Sequence, residues 1–376
     1  MKSRNMEDKK VPQRLQSLDA LRGFDMFFIM GGASVFVALA TLYPCPFLQA
    51  IADQMNHVEW NGLKHHDTIF PLFLFIAGIS FPFSLAKQRE HGKTNFTIYM
   101  KIIRRGFTLV LLGFIYNGLL NFDFEHQRYA SVLARIGLGW MFAALLFVNA
   151  KAVTRAWITA LILISYWLIM AYIPAPDANG ADIFTAQGSI AGYFDRNFLP
   201  GTFAGKDMDP EGILSTFPAI CTALLGMFTG ELVKSNKEGL TGNKKVLIMV
   251  IAGIVLLAVG LLWNQVFPIN KKMWTSSFVC VVGSYSLLMF ALFFYLIDVR
   301  NWRKWILFFT VIGMNSITIY LGQKFIDFSF TKWKIFAGFI SVFSGIAQPF
   351  VDSICYVTVC WLFLYFLYRQ RIFLKI

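Results

Sequence analysis

Long apolar runs constrain this chain more than any other feature of its sequence. A helix needs about 20 apolar residues to cross the hydrocarbon core of a bilayer. Ten stretches approach that length. Because lipid offers no hydrogen-bond partners, the backbone of such stretches must form helices. We therefore predict an all-α polytopic membrane protein with about ten transmembrane helices. The predicted spans are residues 24–42, 68–86, 102–120, 132–148, 156–173, 213–233, 246–267, 276–297, 306–326 and 351–368.

Composition agrees with this class and excludes others. Hydrophobic residues make up 57% of the chain and charged residues 15%, whereas a soluble domain is about 45–50% apolar and about 25% charged. The formal charge of +13 does not indicate a nucleic-acid partner, because the basic residues lie in short loops between apolar runs. The five cysteines include no CxxC pair, so neither a zinc site nor a disulfide framework is supported.

The distribution of basic residues predicts the orientation of the chain. With residues 1–22 as a cytoplasmic N-terminus, most of the 34 lysines and arginines fall on the cytoplasmic side, as the positive-inside rule requires. Both termini are then cytoplasmic. The N-terminus has no signal-peptide pattern, so the first span is expected to remain in the mature protein. Residues 335–350 are apolar but short and contain two glycines and a proline, which favours an interfacial or re-entrant segment.

Two outer segments stand out, and we expect them to form an extracytoplasmic cap over a single domain, residues 1–376. Residues 43–67 contain three of the five histidines. Residues 174–212 are rich in glycine, proline, aspartate and aromatic residues. Loops of this length between packed helices are often functional.

The first outer segment supplies the main candidate catalytic residues. His57 has the side chain best suited to proton transfer near neutral pH, although a solvated loop histidine is the alternative. The adjacent His65 and His66 point about 100° apart on a helix, which disfavours a metal site. Asp67 precedes Thr68 and a proline-containing apolar run, which predicts that it is a helix N-cap. Capping is compatible with a catalytic role.

Polar residues inside predicted spans form a second set of candidates. Asn315 and Ser316 interrupt the middle of the ninth span, and residues 284–286 do the same in the eighth. Such residues are costly in lipid and are often functional. Arg128 and Arg135 bracket the outer end of the fourth span, where they could bind a phosphate or extend to lipid headgroups.

Short motifs are spread along nearly the whole chain. They are SLDALRG at 17–23, HVEWNG at 57–62 with Asp67 and Phe70-Pro71, Arg128 with VLARIG at 132–137, AGYFDR at 191–196, DPEGIL at 209–214, NKKMW at 270–274, GMNSI at 313–317 and YRQRIFLKI at 368–376. In this order they resemble the heparan-α-glucosaminide N-acetyltransferase family.

The resemblance implies a specific reaction. Members of the family take acetyl from acetyl-coenzyme A (acetyl-CoA) on the cytoplasmic side and deliver it to the amino group of a terminal glucosamine across the membrane. It places the catalytic histidine at His57, acting as general base or as acetyl carrier, with Asp67 orienting it. No metal is expected. The residues expected to contact the cofactor are Asn61, Arg128, Arg135, Lys271, Trp274, Asn315 and Ser316.

The chain also departs from the family pattern. Lysosomal relatives carry an extra luminal domain and one more span ahead of the 17–23 motif. They also have an asparagine in the first span, where this chain reads FIMGG at 28–32. The short N-terminus suggests a bacterial plasma-membrane protein with active loops facing the periplasm. The acceptor would be a free amino sugar, a glycosaminoglycan fragment or a cell-wall sugar, and a homodimer is compatible with the sequence.

Two other functions remain open at this point. An O-acetyltransferase of a periplasmic glycan would share the donor and acetylate hydroxyl groups. A transporter of small molecules would also fit ten spans with polar mid-membrane residues. Walker, dinucleotide-binding and GxSxG motifs are missing from the sequence, so it offers no standard ATPase, redox or serine-hydrolase site.

Overall fold

The computed structural model describes residues 15–374, and this part of the chain is helical apart from loops and two isolated β-bridges. The basic residues at positions 1–14 and Lys375, which are predicted to be cytoplasmic, lie outside the described residues. The helices are α1 Gln16–Phe27, α2 Ala33–Leu42, α3 Pro46–Gln54, α4 His65–Glu90, α5 Asn95–Tyr116, α6 Val132–Asn149, α7 Ala152–Tyr172, α8 Ile190–Phe198, α9 Thr216–Lys234, α10 Gly242–Trp263, α11 Ser276–Phe294, α12 Leu307–Met314, α13 Ser316–Phe325, α14 Phe328–Ser341 and α15 Gln348–Arg369.

Eight helical segments within residues 15–374 are long and apolar enough to cross a membrane. The helical membrane-protein class is therefore confirmed, while ten crossings and cytoplasmic termini stay predictions. The other two predicted spans are helical as well. One, α5, carries Lys101, Arg104 and Arg105, and the other is interrupted at Asn315 between α12 and α13. The eight segments are Gln16–Leu42, His65–Glu90, Val132–Asn149, Ala152–Tyr172, Thr216–Lys234, Gly242–Trp263, Ser276–Val299 and Gly345–Arg369.

Helices α4, α9 and α11 form the centre of the bundle. About two thirds (67%) of the most apolar window of each is buried, against 17% for α10 and 28% for α7. The peripheral helices expose large aliphatic and aromatic side chains, as expected of surfaces that contact lipid.

Close helix contacts depend on glycine. A Cβ on Gly78 of α4 would lie 2.2 Å from a backbone oxygen of α9, and one on Gly226 of α9 would lie 2.0 Å from a backbone oxygen of α4. Gly23 of α1 and Gly313 of α12 make a similarly close pair. Small residues let backbones approach where lipid provides no hydrophobic driving force between helices.

The two long predicted outer loops are ordered and partly helical. Residues 43–67 contain α3, and residues 174–212 contain α8. The second loop folds around the buried Asp195, whose carboxylate accepts backbone N–H bonds from Asp209 and Ile213. The short apolar segment 335–350 comprises the end of α14, a 3₁₀ turn at Gly345–Ala347 and the start of α15. Its place relative to the bilayer stays a prediction.

Candidate active site and cofactor cavity

His57 and Asp67 form a hydrogen-bonded pair where the loop after α3 meets the start of α4. His57 Nδ1 lies 2.6 Å from Asp67 Oδ1. The imidazole is 55% exposed, whereas the carboxylate is 2% exposed. Because a carboxylate can only accept, Nδ1 carries the proton, and in the neutral imidazole Nε2 then has the lone pair. The exposed imidazole is therefore prepared to act as a base or as a nucleophile.

Asp67 stabilises the start of α4 from a different position than predicted. The helix begins at His65, so the N-cap is Lys64 and Asp67 is the third helical residue. Its Oδ2 accepts the backbone N–H groups of Lys64 and Val58, each at 3.2 Å. The prediction that Asp67 is the N-cap is wrong, because the carboxylate reaches back from the first turn as in a capping box. One carboxylate thus fixes the helix start and orients the imidazole.

Lys271, from the loop between α10 and α11, completes the polar cluster. Its Nζ lies 3.3 Å from Asp67 Oδ1 and 3.4 Å from His57 Nδ1. Since Nδ1 donates to the carboxylate, the ammonium group donates to Asp67. Burial lowers the pKa of Lys271, and the charge of Asp67 offsets part of that effect. The cluster therefore combines a base with a nearby cation that can stabilise developing negative charge.

Two loops hold this cluster together. Asn270 Nδ2 donates to Asn61 Oδ1 at 3.1 Å, and the Gly62 N–H donates to the Ile269 carbonyl at 2.8 Å. Asn61 thus braces the loop that carries His57. Trp274 follows in the same loop at a positive φ of 51°, fully buried. A non-glycine residue in this region marks a strained backbone that the surrounding packing must hold.

Trp274 links the cluster to the core. Its ring lies 4.9 Å from the Phe70 ring and 4.9 Å below the Arg135 guanidinium, and its Nε1 donates to Thr222 at 3.3 Å. Arg135 also donates to the Ser215 hydroxyl. Both Trp274 and Arg135 therefore lie behind the cluster, in the packing between α4, α6 and α9.

Arg128 contacts acidic residues of the second outer loop. Its guanidinium binds Asp209 in a bidentate way, at 2.7 Å for each bond, and also binds Glu211. Burial alone would raise the pKa of Asp209, but the hydrogen bonds and charge of Arg128 hold it below its ordinary value. The predicted phosphate contact at Arg128 would have to displace these carboxylates.

A cavity of about 300 Å³ runs through the bundle beside α4 and contains the helix break at Asn315 and Ser316. Phe70 lines it at the His57 end. Asp67 precedes Phe70 by three residues, so its Cα lies about 4.5 Å further along the helix axis, and neither Asp67 nor His57 lines the cavity itself. Arg22 and Arg105 line the opposite end. The structure thus brings Asn315 and Ser316 together in one cavity, separate from Arg128.

A larger cleft of about 770 Å³ adjoins that opposite end and is strongly basic. Arg105 lines both spaces and stacks over Trp140 at 4.2 Å. Sequence reasoning used these charges only for topology. The available signal was Arg104 and Arg105 inside the predicted third span, with Lys101 directly before it. The basic residues of the cleft are Lys87, His91, Lys93, Lys101, Arg104 and Arg105.

The two remaining histidines of the first loop have different neighbours. The His66 ring is 4.6 Å from the His57 ring, and the His65 ring packs 4.5 Å from Phe28. Within residues 15–374, no group of three or more His, Cys, Asp or Glu side chains is arranged to hold a metal ion.

Comparisons with known proteins support the family resemblance that the motifs indicate. A family model described as a domain of unknown function, DUF5009, matches residues 14–154. The chain is 27% identical to human heparan-alpha-glucosaminide N-acetyltransferase over an alignment of 427 residues, gaps included, that covers 97% of this chain and 60% of the human protein. It is also 27% identical to the mouse protein of that name over 380 residues, which cover 85% of this chain and 56% of the relative. The chain thus spans less than two thirds of these curated relatives, and the resemblance seen in the motifs is confirmed.

Proposed function

We propose that this chain is a transmembrane acetyltransferase that moves the acetyl group of acetyl-CoA to the amino group of a glucosamine-type sugar. The relatives are N-acetyltransferases by name. One arrangement in this chain carries the proposal. A basic cleft adjoins one end of an internal cavity, and Phe70, one helix turn from the Asp67 that pairs with His57, lines the other end.

The two spaces suit the two parts of the donor. Coenzyme A has a nucleotide with several phosphates and a long uncharged arm that ends in the thiol. The basic cleft would hold the phosphates, for which Arg104 and Arg105 offer planar donors. The arm would extend through the cavity past Asn315 towards Phe70. The thioester would then arrive next to His57.

The chemistry follows from the protonation of His57. Nε2 takes a proton from the sugar amine as the nitrogen attacks the thioester carbonyl. The C–N bond forms, the C–S bond breaks, and the sulfur leaves as a thiolate that takes up a proton. Alternatively, Nε2 attacks first and holds the acetyl group until the amine displaces it. In either case Lys271 is the cation nearest to the pair, and it would stabilise the oxyanion.

The direction of transfer is part of the proposal. If the basic cleft faces the cytoplasm, as the positive-inside rule predicts, His57 faces the opposite compartment. For a bacterial plasma membrane that compartment is the periplasm. Sealed vesicles of defined orientation test this, because acetyl-CoA supplied at the cleft side alone should acetylate a sugar supplied at the other side alone.

The first experiment is transfer of radiolabelled acetyl from acetyl-CoA to glucosamine by purified protein in liposomes. We compare wild type, His57→Ala and His126→Ala. His126 is a matched control, because it also contacts an aspartate, with Nδ1 3.0 Å from Asp123 Oδ1, but is 71% exposed in a loop. Loss of transfer in His57→Ala alone supports the proposal, and equal activity of all three proteins would contradict the role of His57.

An acceptor panel separates the alternatives. Acetylation of hydroxyl groups in preference to amines would indicate an O-acetyltransferase. Uptake of sugar without any use or binding of acetyl-CoA would indicate a transporter.

A further inference from the structure

The segment that follows α15 turns back towards the bundle. The helix ends at Arg369, and Arg371 adopts a positive φ of 56°. The Ile372 N–H then donates to the Leu367 carbonyl at 2.9 Å. Phe373 lies beside Tyr368, with ring centroids 6.4 Å apart. Residues 372–374 are therefore fixed against the end of the helix.

A buried asparagine holds this segment in place. Asn315 Nδ2 donates to the Ile372 carbonyl at 3.0 Å, and Thr318 Oγ1 donates to Asn315 Oδ1 at 3.3 Å. Asn315 is 2% exposed and sits at the break between α12 and α13. An unpaired amide at such depth would be strongly destabilising, because no water or lipid group replaces the lost hydrogen bond. The bond to Ile372 therefore couples the helix break to the segment.

The same segment forms the boundary between the two spaces. Phe373 and Leu374 line the internal cavity, and Leu374 also lines the basic cleft. Arg105 is the only other described residue that lines both the cavity and the cleft. A molecule that reaches from the cleft into the cavity across their shared boundary would pass beside these two side chains.

We propose that residues 372–374 form the neck of the donor channel, with Leu374 opposite Arg105 as the residue that determines which donors enter. This inference rests on the proposed function. The nucleotide stays on the cleft side of the neck, where the charges lie. The narrow uncharged arm passes the neck, with its methylene groups against Leu374. The carbonyl of Ile372, held by Asn315, sets the position of Leu374.

The test compares two identical substitutions in the full chain. Leu374→Trp adds bulk at the neck, and Leu362→Trp adds it on α15 outside the channel; both leucines are 48% exposed. Leu374→Trp should raise the KM for acetyl-CoA about tenfold or more, with the KM for the amino sugar unchanged. It should also weaken binding of radiolabelled coenzyme A by a similar factor. Leu362→Trp should match wild type in both measurements.

A second variant keeps the inference testable if the tryptophan disturbs folding. Leu374→Ala removes bulk and widens the neck, so it cannot disturb folding by overcrowding. The preference for acetyl-CoA over the bulkier benzoyl-CoA should fall in this variant. Thermal unfolding of each variant reports folding independently.

The outcomes separate the two levels of the argument. Suppose that wild type transfers acetyl, and that both Leu374 variants match it in the KM for acetyl-CoA, in coenzyme A binding and in donor preference. The neck is then refuted while the proposed function stands. If wild type neither binds coenzyme A nor transfers acetyl, the proposed function fails and the neck falls with it.

Discussion

Replacing Asp67 with asparagine tests the core of the proposed site. The side chain keeps its shape but loses its charge and one of its two acceptor oxygens. In the native protein Oδ2 accepts two backbone N–H groups, from Val58 and Lys64, and Oδ1 accepts the His57 Nδ1 proton. The backbone donors cannot change, so the amide oxygen of the introduced asparagine should stay with them and its NH₂ group should face Nδ1.

The result is an inverted tautomer. With an N–H donor facing it, Nδ1 must become the acceptor, and the imidazole proton moves to Nε2. The nitrogen that should take the proton from the amine then no longer has a free lone pair. General base catalysis contributes about 10²–10⁴-fold, or about 3–5.5 kcal/mol of activation free energy. We expect kcat to fall by that factor. One acceptor for the backbone remains, but Lys271 loses the carboxylate to which it donates. The free energy of unfolding should therefore fall by about 1–3 kcal/mol.

The assay is acetyl transfer in liposomes at saturating donor and acceptor, with thermal unfolding measured in parallel. Asp53→Asn is the matched control, because Asp53 lies on α3 in the same outer segment, residues 43–67, and pairs with Lys64 at 2.6 Å but is 58% exposed. An exposed pair contributes about 0–1 kcal/mol, so this variant should keep wild-type activity. If Asp67→Asn retains more than about a tenth of wild-type kcat, the tautomer argument is refuted.

Three further predictions concern the second outer loop and the cleft. Burial raises the pKa of Asp195 from an ordinary 3.8 to about 6, so its contribution to stability is fully present below about pH 4 and is lost as pH rises through about 6. Between pH 4 and 8 the melting temperature of Asp195→Asn should therefore decline less than that of wild type. Identical slopes for the two proteins would contradict the assignment. Arg128→Met leaves the buried Asp209 carboxylate without its cation and should lower the free energy of unfolding by about 3–5 kcal/mol. The measurement is made near neutral pH, where the pair is ionised. An unchanged melting temperature would show that the pair does not stabilise the loop. Arg104 lines the cleft but not the cavity, so Arg104→Met should raise the KM for acetyl-CoA about tenfold. It should leave unchanged the KM for S-acetylpantetheine, which lacks the nucleotide. Equal effects on both donors would exclude a phosphate contact at Arg104.

Local patterns in the sequence were enough to predict the helical membrane class and the positions of most spans. The hydrocarbon core requires a minimum apolar length, and that requirement can be read without knowing any tertiary contact. The pairing of His57 with Asp67 was expected from the family resemblance. Ten residues separate them, so a single loop and one helix turn suffice to bring them together.

Other features could not be predicted because they depend on how distant segments pack. Lys271 reaches Asp67 across 204 positions, and Arg128 meets Asp209 across 81 positions. The basic residues of α5 served only as a topology signal until the bundle placed them around a cleft. Periodicity describes one helix at a time and carries no information on which helix it will contact.

The start of α4 also shows what the sequence determined and what only the structure decided, here within one helix turn. The sequence determined that a helix begins near Asp67, because an acidic residue before an apolar run stabilises a helix N-terminus. Only the structure decided that Asp67 lies inside the first turn, because there its second oxygen can also bind His57. In the same way, the sequence determined that Asn315 needs a hydrogen-bond partner within the bundle. The tertiary structure decided that the partner is the carbonyl of Ile372, since packing alone brings the chain after α15 to the break between α12 and α13.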